Sequence, residues 1–162
     1  RRTVGTNKAR HMIRKAGIGD AKTIQKLINA FASQDLMLPR SLNEIFENIR
    51  DFWVALDNGR VVGCGALHIV GWDNMAEIKS LAVNKKFQKK GFGALLMRSL
   101  LEEAAGLEIQ KVFALSYQPK FFKKFGFRTV PKSKLPHKIW AECCHCPKFP
   151  NCGEIALVKT IR

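Results

Sequence analysis

The hexapeptide Gln88-Lys89-Lys90-Gly91-Phe92-Gly93 sets two lysines and two glycines just before an apolar-periodic run, a combination suited to holding an anion. Gly91 and Gly93 let the backbone approach closely, the first amides of a following helix have no partner within it, and the helix dipole favours negative charge there. The same residues serve equally as a tight strand-to-helix turn with solvated lysines. Neither GxxxxGK[ST] nor GxGxxG is present, which removes the commonest nucleotide loops. A second concentration of chemistry is Cys143, Cys144, Cys146 and Cys152, with Cys64 alone in an apolar run. Cys143-x-x-Cys146-Pro, with Cys152 six residues on and His137 or His145 nearby, supplies ligand types for a structural zinc. A loop of free thiols or a redox disulfide competes with it, because no second CxxC or HxxxH completes the set.

These groups sit in a chain of 162 residues, 46% hydrophobic and 25% charged, a composition that supports a real core and disfavours wholesale disorder. One compact domain is expected over residues 11–162, preceded by a basic, flexible arm over 1–10 and carrying a Cys-rich segment at 137–153. No apolar run is long enough to cross a bilayer, so no membrane partner is expected. Lysines and arginines number 28 against 13 acidic residues, a formal charge of +15 that favours anionic partners. Clustered rather than dispersed cysteines point to a reducing, cytoplasmic location. The first fifteen residues lack a signal-peptide core and begin without Met, so an upstream tag or transit peptide is expected to have been removed.

The elements that must position the chemistry follow from periodicity. A short strand at 11–14 leads through Gly17-Ile18-Gly19 to Asp20, a good N-cap, and Ile24, Leu27, Ile28 and Phe31 make one apolar helix face over 21–33. Ser41 with Glu44 forms a capping box before a second helix striped by Leu42, Ile45, Phe46 and Ile49. A strand at 52–56, the turn Asp57-Asn58-Gly59 and a strand at 61–70 predict a hairpin, and a strand at 76–83 extends it to a meander. A helix over 93–105 follows, with Gly106 as the residue just past its end. A strand at 111–115, a helical turn from Pro119 to Phe125, and strands at 127–130 and 154–158 complete the chain.

The stretch AEIKSLAVNKKFQKKGFGALLMRSLLEE resembles the acetyl-CoA-binding motif of the GNAT superfamily of N-acetyltransferases, with its Q/R-x-x-G-x-G/A signature, and FFKKFGF is similar to a later F-(F/Y)-x-x-x-G-F element. The order of elements over residues 12 to 130 matches as well. The resemblance implies an α/β (α+β) fold, a central mixed, mostly antiparallel sheet flanked by helices, and acetyl-CoA as co-substrate. It implies that the amides of Gln88, Lys89, Lys90, Gly91, Phe92 and Gly93 hold the pyrophosphate, that pantetheine lies along Leu81, Ala82 and Val83, and that amides near Leu81 and Ala82 polarise the thioester. An amine acceptor must lose a proton, and Glu77 stands where several members of the superfamily have a general-base glutamate. The alternative is a strand glutamate at a sheet edge. Phe122 occupies the place of a tyrosine general acid, which leaves Tyr117, the chain's only tyrosine, to serve as acid or to be purely structural.

Among these families, "LPRS" before a helix and "VVGCGAL" in the meander are most similar to the acetyltransferase domain of N-acetylglutamate synthases. The implied reaction acetylates the α-amino group of glutamate, the entry step of arginine biosynthesis. Arg14, Arg40 and Ser41 lie where acceptor carboxylates would be met, although Ser41 is also explained as a cap and the arginines as surface charge. The long members' arginine-binding kinase domain has no counterpart here, so such feedback is expected to be absent from this chain. KIWAECCHCPKFPNCGEIAL occupies the place that completes the acceptor pocket there, so another amino acid, a polyamine or a protein amine remains an alternative acceptor. A homodimer is compatible with this reading. The competing class is a nucleic-acid module using Arg1, Arg2, Lys8, Arg10, Lys120, Lys123, Lys124 and Arg128. It is disfavoured because Trp53, Trp72 and Trp140 are not interleaved with those charges as a stacking platform requires.

Overall fold

The computed structural model describes residues 11–72, 74–135, 141–146, 148 and 152–161. The basic arm over 1–10, His137 and Trp140 lie outside the described residues. The chain forms strand β1 (His11–Lys15), helices α1 (Ala21–Ala32) and α2 (Leu42–Glu47), and strands β2 (Phe52–Asp57), β3 (Arg60–Val70) and β4 (Met75–Val83). Helix α3 (Phe92–Gly106), strand β5 (Lys111–Ser116), helix α4 (Pro119–Lys123) and strands β6 (Arg128–Val130) and β7 (Ile155–Thr160) follow. The strands make one sheet in the order β1-β2-β3-β4-β5-β7-β6. β4 and β5 pair in parallel, whereas β1 with β2, β2 with β3, β5 with β7 and β6 with β7 are antiparallel. The result is the expected mixed, mostly antiparallel sheet with helices, with β7 inserted between β5 and β6.

The chain divides into two compact units, one running to Leu67 and including Ser80–Glu102, the other comprising His68–Lys79 and the chain from Glu103 on. In the first, Asn58 (φ 49°) and Gly59 (φ 80°) are both left-handed, the conformation a two-residue hairpin loop needs between right-twisted strands. Helix α1 buries Ala21, Ile24, Leu27 and Ile28 in a cluster with Ile45 of α2 and Val54, Cys64 and Ala66 of the sheet. Its entry differs from expectation. Asp20 does not cap α1, because its Oδ1 and Oδ2 accept from Arg14 at 3.0 and 2.7 Å and Oδ2 also accepts from the Gly17 amide at 2.8 Å. A guanidinium six residues earlier is a stronger donor than a helix amide, so a short 3-10 turn at Ile18–Asp20 opens the helix instead. Ser41 does cap α2, its Oγ accepting from the Glu44 amide at 3.1 Å. That helix stops at Glu47, where the Asn48 side chain donates to the Glu44 carbonyl at 2.8 Å.

Across β3, Gly63 and Gly65 lie against α3 and β4: a Cβ on Gly63 would stand 3.2 Å from Leu96 Cδ1 and from the Ala82 carbonyl oxygen, and one on Gly65 2.9 Å from Leu81 Cδ1 and 3.1 Å from Leu100 Cδ1. Two glycines two residues apart on one strand face leave the room that a leucine-studded helix requires.

In the second unit, Val70, Phe113, Leu135, Ala156 and Val158 form the core, and β5 pairs with β7 from Lys111↔Thr160 to Ser116↔Ile155. Phe122 and Phe127 pack edge to face at 5.2 Å, with Gly126 at φ 87° making the turn between them. Helix α3 ends later than Gly106 suggests. The Ile109 amide bonds to the Ala104 carbonyl at 2.9 Å and the Glu108 amide to the Ala105 carbonyl at 3.1 Å, a Schellman arrangement in which Glu108 (φ 61°), not Gly106, is left-handed. Ile109, the next residue, is buried, and that burial sets the register against a strain of about 1 to 2 kcal/mol in Glu108.

Candidate active site

The glycine-lysine turn expected to hold an anion lies in the first unit. Asn84 Oδ1 accepts from the Lys86 amide at 3.0 Å and starts a 3-10 turn at Lys85–Phe87. Gln88 is exposed, and its Nε2 donates to the Val83 carbonyl at 3.0 Å, tying the turn to the end of β4. Lys89 (φ 61°) and Gly91 (φ 92°) then reverse the chain into α3. Phe92 is buried, 4.2 Å between ring centroids from His11 and 6.3 Å from Phe87, and fixes the start of the helix. The first bond within α3 runs from the Leu95 amide to the Gly91 carbonyl at 3.1 Å. The residue in the cap position is therefore a glycine, with no side-chain oxygen to take the amides of Phe92, Gly93 and Ala94. Lys85, Lys86, Lys89 and Lys90 are exposed around this turn, and Lys90 Nζ stands 5.4 Å from the Phe87 ring centroid. A cradle of uncapped amides ringed by four cations fits a phosphorylated cofactor.

Strand β4 runs up to the turn. Its parallel ladder with β5 pairs Met75↔Lys111, Ala76↔Val112 and Glu77↔Phe113, and β4 continues six residues further, with Ser80 in the left-handed region at φ 55°. The Asn84 amide bonds to the Val62 carbonyl at 2.8 Å, and by strand alternation the backbone of Ala82 faces β3 too. Cys64 Sγ of β3 donates to the Ser80 carbonyl at 3.4 Å, and because that carbonyl and the Leu81 amide point oppositely in one peptide plane, it is Leu81, of the two amides expected to polarise a carbonyl, that is directed away from β3. Ser80 was not legible from the sequence. Serine carries no signal for a positive φ, and only the three-dimensional ladder reveals the bend.

Glu77 is 3% exposed, the buried charged residue of the described chain, and lies on β4, the fourth of seven strands. It is at the centre of the sheet, which sets aside the sheet-edge alternative; acidic side chains at such positions require a reason beyond β-propensity. Two residues on, Lys79 Nζ bonds Glu142 Oε1 at 2.9 Å with 14% and 30% of the two side chains exposed, and so fastens the Cys-rich segment to β4. Tyr117 is against that segment: Lys148 Nζ is 5.8 Å from its ring centroid. Burial first, then Cys152, pushes the Tyr117 hydroxyl above its ordinary value, against the pull of Lys148, so it keeps its proton at neutral pH. Phe122, where relatives would have a tyrosine, is core.

Of the acceptor candidates, Arg14 is engaged by Asp20 through two hydrogen bonds, and its guanidinium is correspondingly harder to deprotonate. Its fork is thus already on a carboxylate. Arg40 meets Glu44 at a longer 3.4 Å, while its amide donates to Asn29 Oδ1 at 3.3 Å. Ser41 Oγ is occupied as the α2 cap.

The zinc expectation is not met. Among the described residues no three His, Cys, Asp or Glu side chains are grouped to hold a metal, and Cys143, Cys146 and Cys152 are not joined in disulfides. Cys143 and Cys146 sit on a 3-10 turn closed by its own backbone, the Cys146 amide on the Cys143 carbonyl at 3.1 Å. Cys152 is held apart from that turn's geometry: its Sγ accepts from the Glu154 amide at 3.4 Å and its carbonyl from Lys132 Nζ. Among the described residues no helix is long and apolar enough to cross a membrane.

A mixed sheet whose fourth strand leads through a lysine-rich turn into an uncapped helix N-terminus defines an acyl-CoA-binding transferase. Residues 21–127 match the acetyltransferase (GNAT) family, and the chain belongs to that family. It is an acetyl-CoA-dependent N-acetyltransferase. It is 40% identical over 149 residues to an uncharacterised N-acetyltransferase of Chlorobaculum tepidum, covering 92% of this chain and 96% of that one. It is 32% identical over 138 residues to an amino-acid acetyltransferase of Mycobacterium tuberculosis, covering 83% and 78%. The fold superposes with a TM-score of 0.85 and 28% identity on the crystal structure of N-acetylglutamate synthase from Neisseria gonorrhoeae complexed with coenzyme A and N-acetyl-glutamate. That match covers 94% of this chain and 35% of the longer protein, so the chain spans about a third of it.

Proposed function

We propose that residues 11–162 act as one catalytic domain that transfers the acetyl group of acetyl-CoA to the α-amino group of an amino acid, with glutamate the favoured acceptor. The observation that carries the cofactor half is the glycine-capped N-terminus of α3, held to β4 by Gln88. The amides of Phe92, Gly93 and Ala94 receive the pyrophosphate, and Lys85, Lys86, Lys89 and Lys90 balance its charge. The Leu81 and Val83 backbone offers the edge along which pantetheine lies, and the Leu81 amide donates to the thioester oxygen as the carbonyl carbon becomes tetrahedral. Glu77 accepts the ammonium proton, through water where it does not touch the amine. As the C–N bond forms and the C–S bond breaks, Tyr117 supplies a proton to the departing thiolate.

The acceptor half rests on the likeness to amino-acid acetyltransferases and on the +15 charge, which suits a substrate bearing two carboxylates. Arg40 is the residue best placed to give it a fork, since its pairing with the exposed Glu44 is long and readily exchanged for a substrate carboxylate. Thiol release from acetyl-CoA, followed over the amino acids one at a time, tests both halves. Release with glutamate well above that with glutamine or aspartate is the expected result. Strong release with a polyamine and none with any amino acid would replace the acceptor, and absence of release with every amine would remove the reading.

A further inference from the structure

A left-handed serine inside a strand needs a local cause. Ser80 at φ 55° costs about 1 to 2 kcal/mol relative to an extended residue and persists only where its surroundings over-determine it. The 2.8 Å bond from the Asn84 amide to the Val62 carbonyl sets the antiparallel register, which places Cys64 of β3 opposite Ala82. The bend at Ser80 interrupts that ladder. What meets it is a side chain: Cys64 Sγ donates to the Ser80 carbonyl at 3.4 Å, and the Ala82 amide acts electrostatically on the same sulfur. The thiol thus holds the peptide plane that carries the Ser80 carbonyl on one side and the Leu81 amide on the other.

The surroundings are built for this. Cys64 is fully buried in the α1 cluster with Ala66 and Ala82. Its neighbours Gly63 and Gly65 present the opposite face of β3, against the Ala82 carbonyl and the Leu81 side chain. Burial pushes the Cys64 thiol up to about 12, so it is an S–H donor throughout the working pH range and neither a nucleophile nor a metal ligand.

We propose that Cys64 is a positioning residue, its thiol holding the Ser80 carbonyl so that the Leu81 amide of the same peptide is aimed at the acyl oxygen. This rests on the reading of β4 as the strand that carries the thioester. Cys64→Ala leaves the Ser80 carbonyl without its donor, and Cys64→Ser restores a donor and an acceptor in nearly the same volume. The inference therefore predicts an effect on turnover that the serine variant reverses.

Three readouts separate this from simple core packing. In Cys64→Ala, kcat is expected to fall about 10-fold to 100-fold while coenzyme A affinity by calorimetry stays within about 3-fold, because only the amide directed at the reacting carbonyl is disturbed. Cys64→Ser is expected to recover most of kcat. Hydrogen exchange at the Ala82 amide is expected to accelerate in Cys64→Ala and to return towards wild type in Cys64→Ser. Unchanged kcat in a folded Cys64→Ala protein overturns the inference, as does a kcat loss that serine deepens in step with falling thermal stability. Unchanged Ala82 exchange overturns the latch even where coenzyme A binds normally. A wild-type chain that binds no coenzyme A, with Ala82 exchange still controlled by residue 64, overturns the role in acyl transfer through failure of the cofactor reading.

Discussion

Gly91 offers a quantitative test of the anion cradle. At φ 92° it sits where a side chain is strained, yet a Cβ there meets nothing within 4 Å, so substitution brings backbone strain and charge but no clash. The strain, about 1 to 2 kcal/mol, is present in the free and the bound protein and changes affinity only so far as the free turn relaxes. Charge acts differently. An aspartate carboxylate about 5 Å from a phosphate oxygen interacts by roughly 0.8 kcal/mol per charge in bulk water and roughly 3 kcal/mol at an effective dielectric of 20. For an exposed turn the penalty against a diphosphate is then about 1 to 2 kcal/mol, a weakening of about 5-fold to 30-fold. Gly91→Asn carries the same shape without the charge and tolerates a left-handed backbone better than most residues. The prediction is therefore a difference: coenzyme A binds Gly91→Asp about 5-fold to 30-fold more weakly than Gly91→Asn. Raising salt should shrink that gap, because the site is open to solvent. Isothermal titration of both variants at two ionic strengths measures it. Equal affinities for the two, with both near wild type, would mean that the diphosphate is not at this turn.

Three further outcomes follow from the same geometry. Glu77→Gln should lower kcat by about 10² to 10⁴-fold and remove the acidic limb of the pH–rate profile while leaving coenzyme A affinity intact; a wild-type profile would dismiss Glu77 as the base. Gly65→Ala places a Cβ 2.9 Å from Leu81 Cδ1 and 3.1 Å from Leu100 Cδ1, and should lower stability by about 1 to 3 kcal/mol in chemical denaturation, an effect that Leu100→Ala in the same chain should partly relieve. The Arg14 hydrogen bonds hold the Asp20 carboxylate below its ordinary value, so its contribution is complete above the unfolded value and is lost as pH falls through the folded one. Discounted for the exposed Arg14 side chain, Asp20→Asn should cost about 0.5 to 1 kcal/mol at neutral pH and nothing measurable near pH 2; a difference that persists in acid would assign the effect to something other than this pair.

What the sequence makes legible here is what short-range chemistry determines. Asp57-Asn58-Gly59 specifies its hairpin because only a few residue types accept two successive left-handed conformations, and the loop is seen as expected. Ser41 caps α2 because its hydroxyl reaches an amide three residues on, whatever the rest of the chain does. The glycine-lysine turn before α3 belongs to the same class: its open amides follow from a glycine in the cap position. Where a distant partner competes for the same group, local rules lose. Asp20 has every local qualification to cap α1, and Arg14 takes it. Gly106 is the natural residue to follow a helix, and burial of Ile109 instead makes it the last residue of α3, with a strained Glu108 closing the end.

The same division runs through the candidate active site. The residues proposed to bind the diphosphate are contiguous and could be read in order along the chain, whereas those proposed to govern the carbonyl are assembled across strands. Glu77 draws its significance from lying mid-sheet, which depends on β5 pairing in parallel after a whole helix has intervened. The bend at Ser80 has no local sequence mark at all; the side chain that meets its carbonyl is a thiol sixteen residues earlier on the neighbouring strand. The Cys-rich segment shows the converse case. CxxC spacing satisfies the local requirement of a metal turn, but a ligand set also requires a third group brought from elsewhere, and the described fold gives Cys152 to the Glu154 amide instead. On this reading, affinity for the cofactor is written in a few adjacent residues, while the placement of the reacting carbonyl depends on long-range packing. Substitutions in the turn should therefore act mainly on binding, and substitutions behind β4 mainly on turnover.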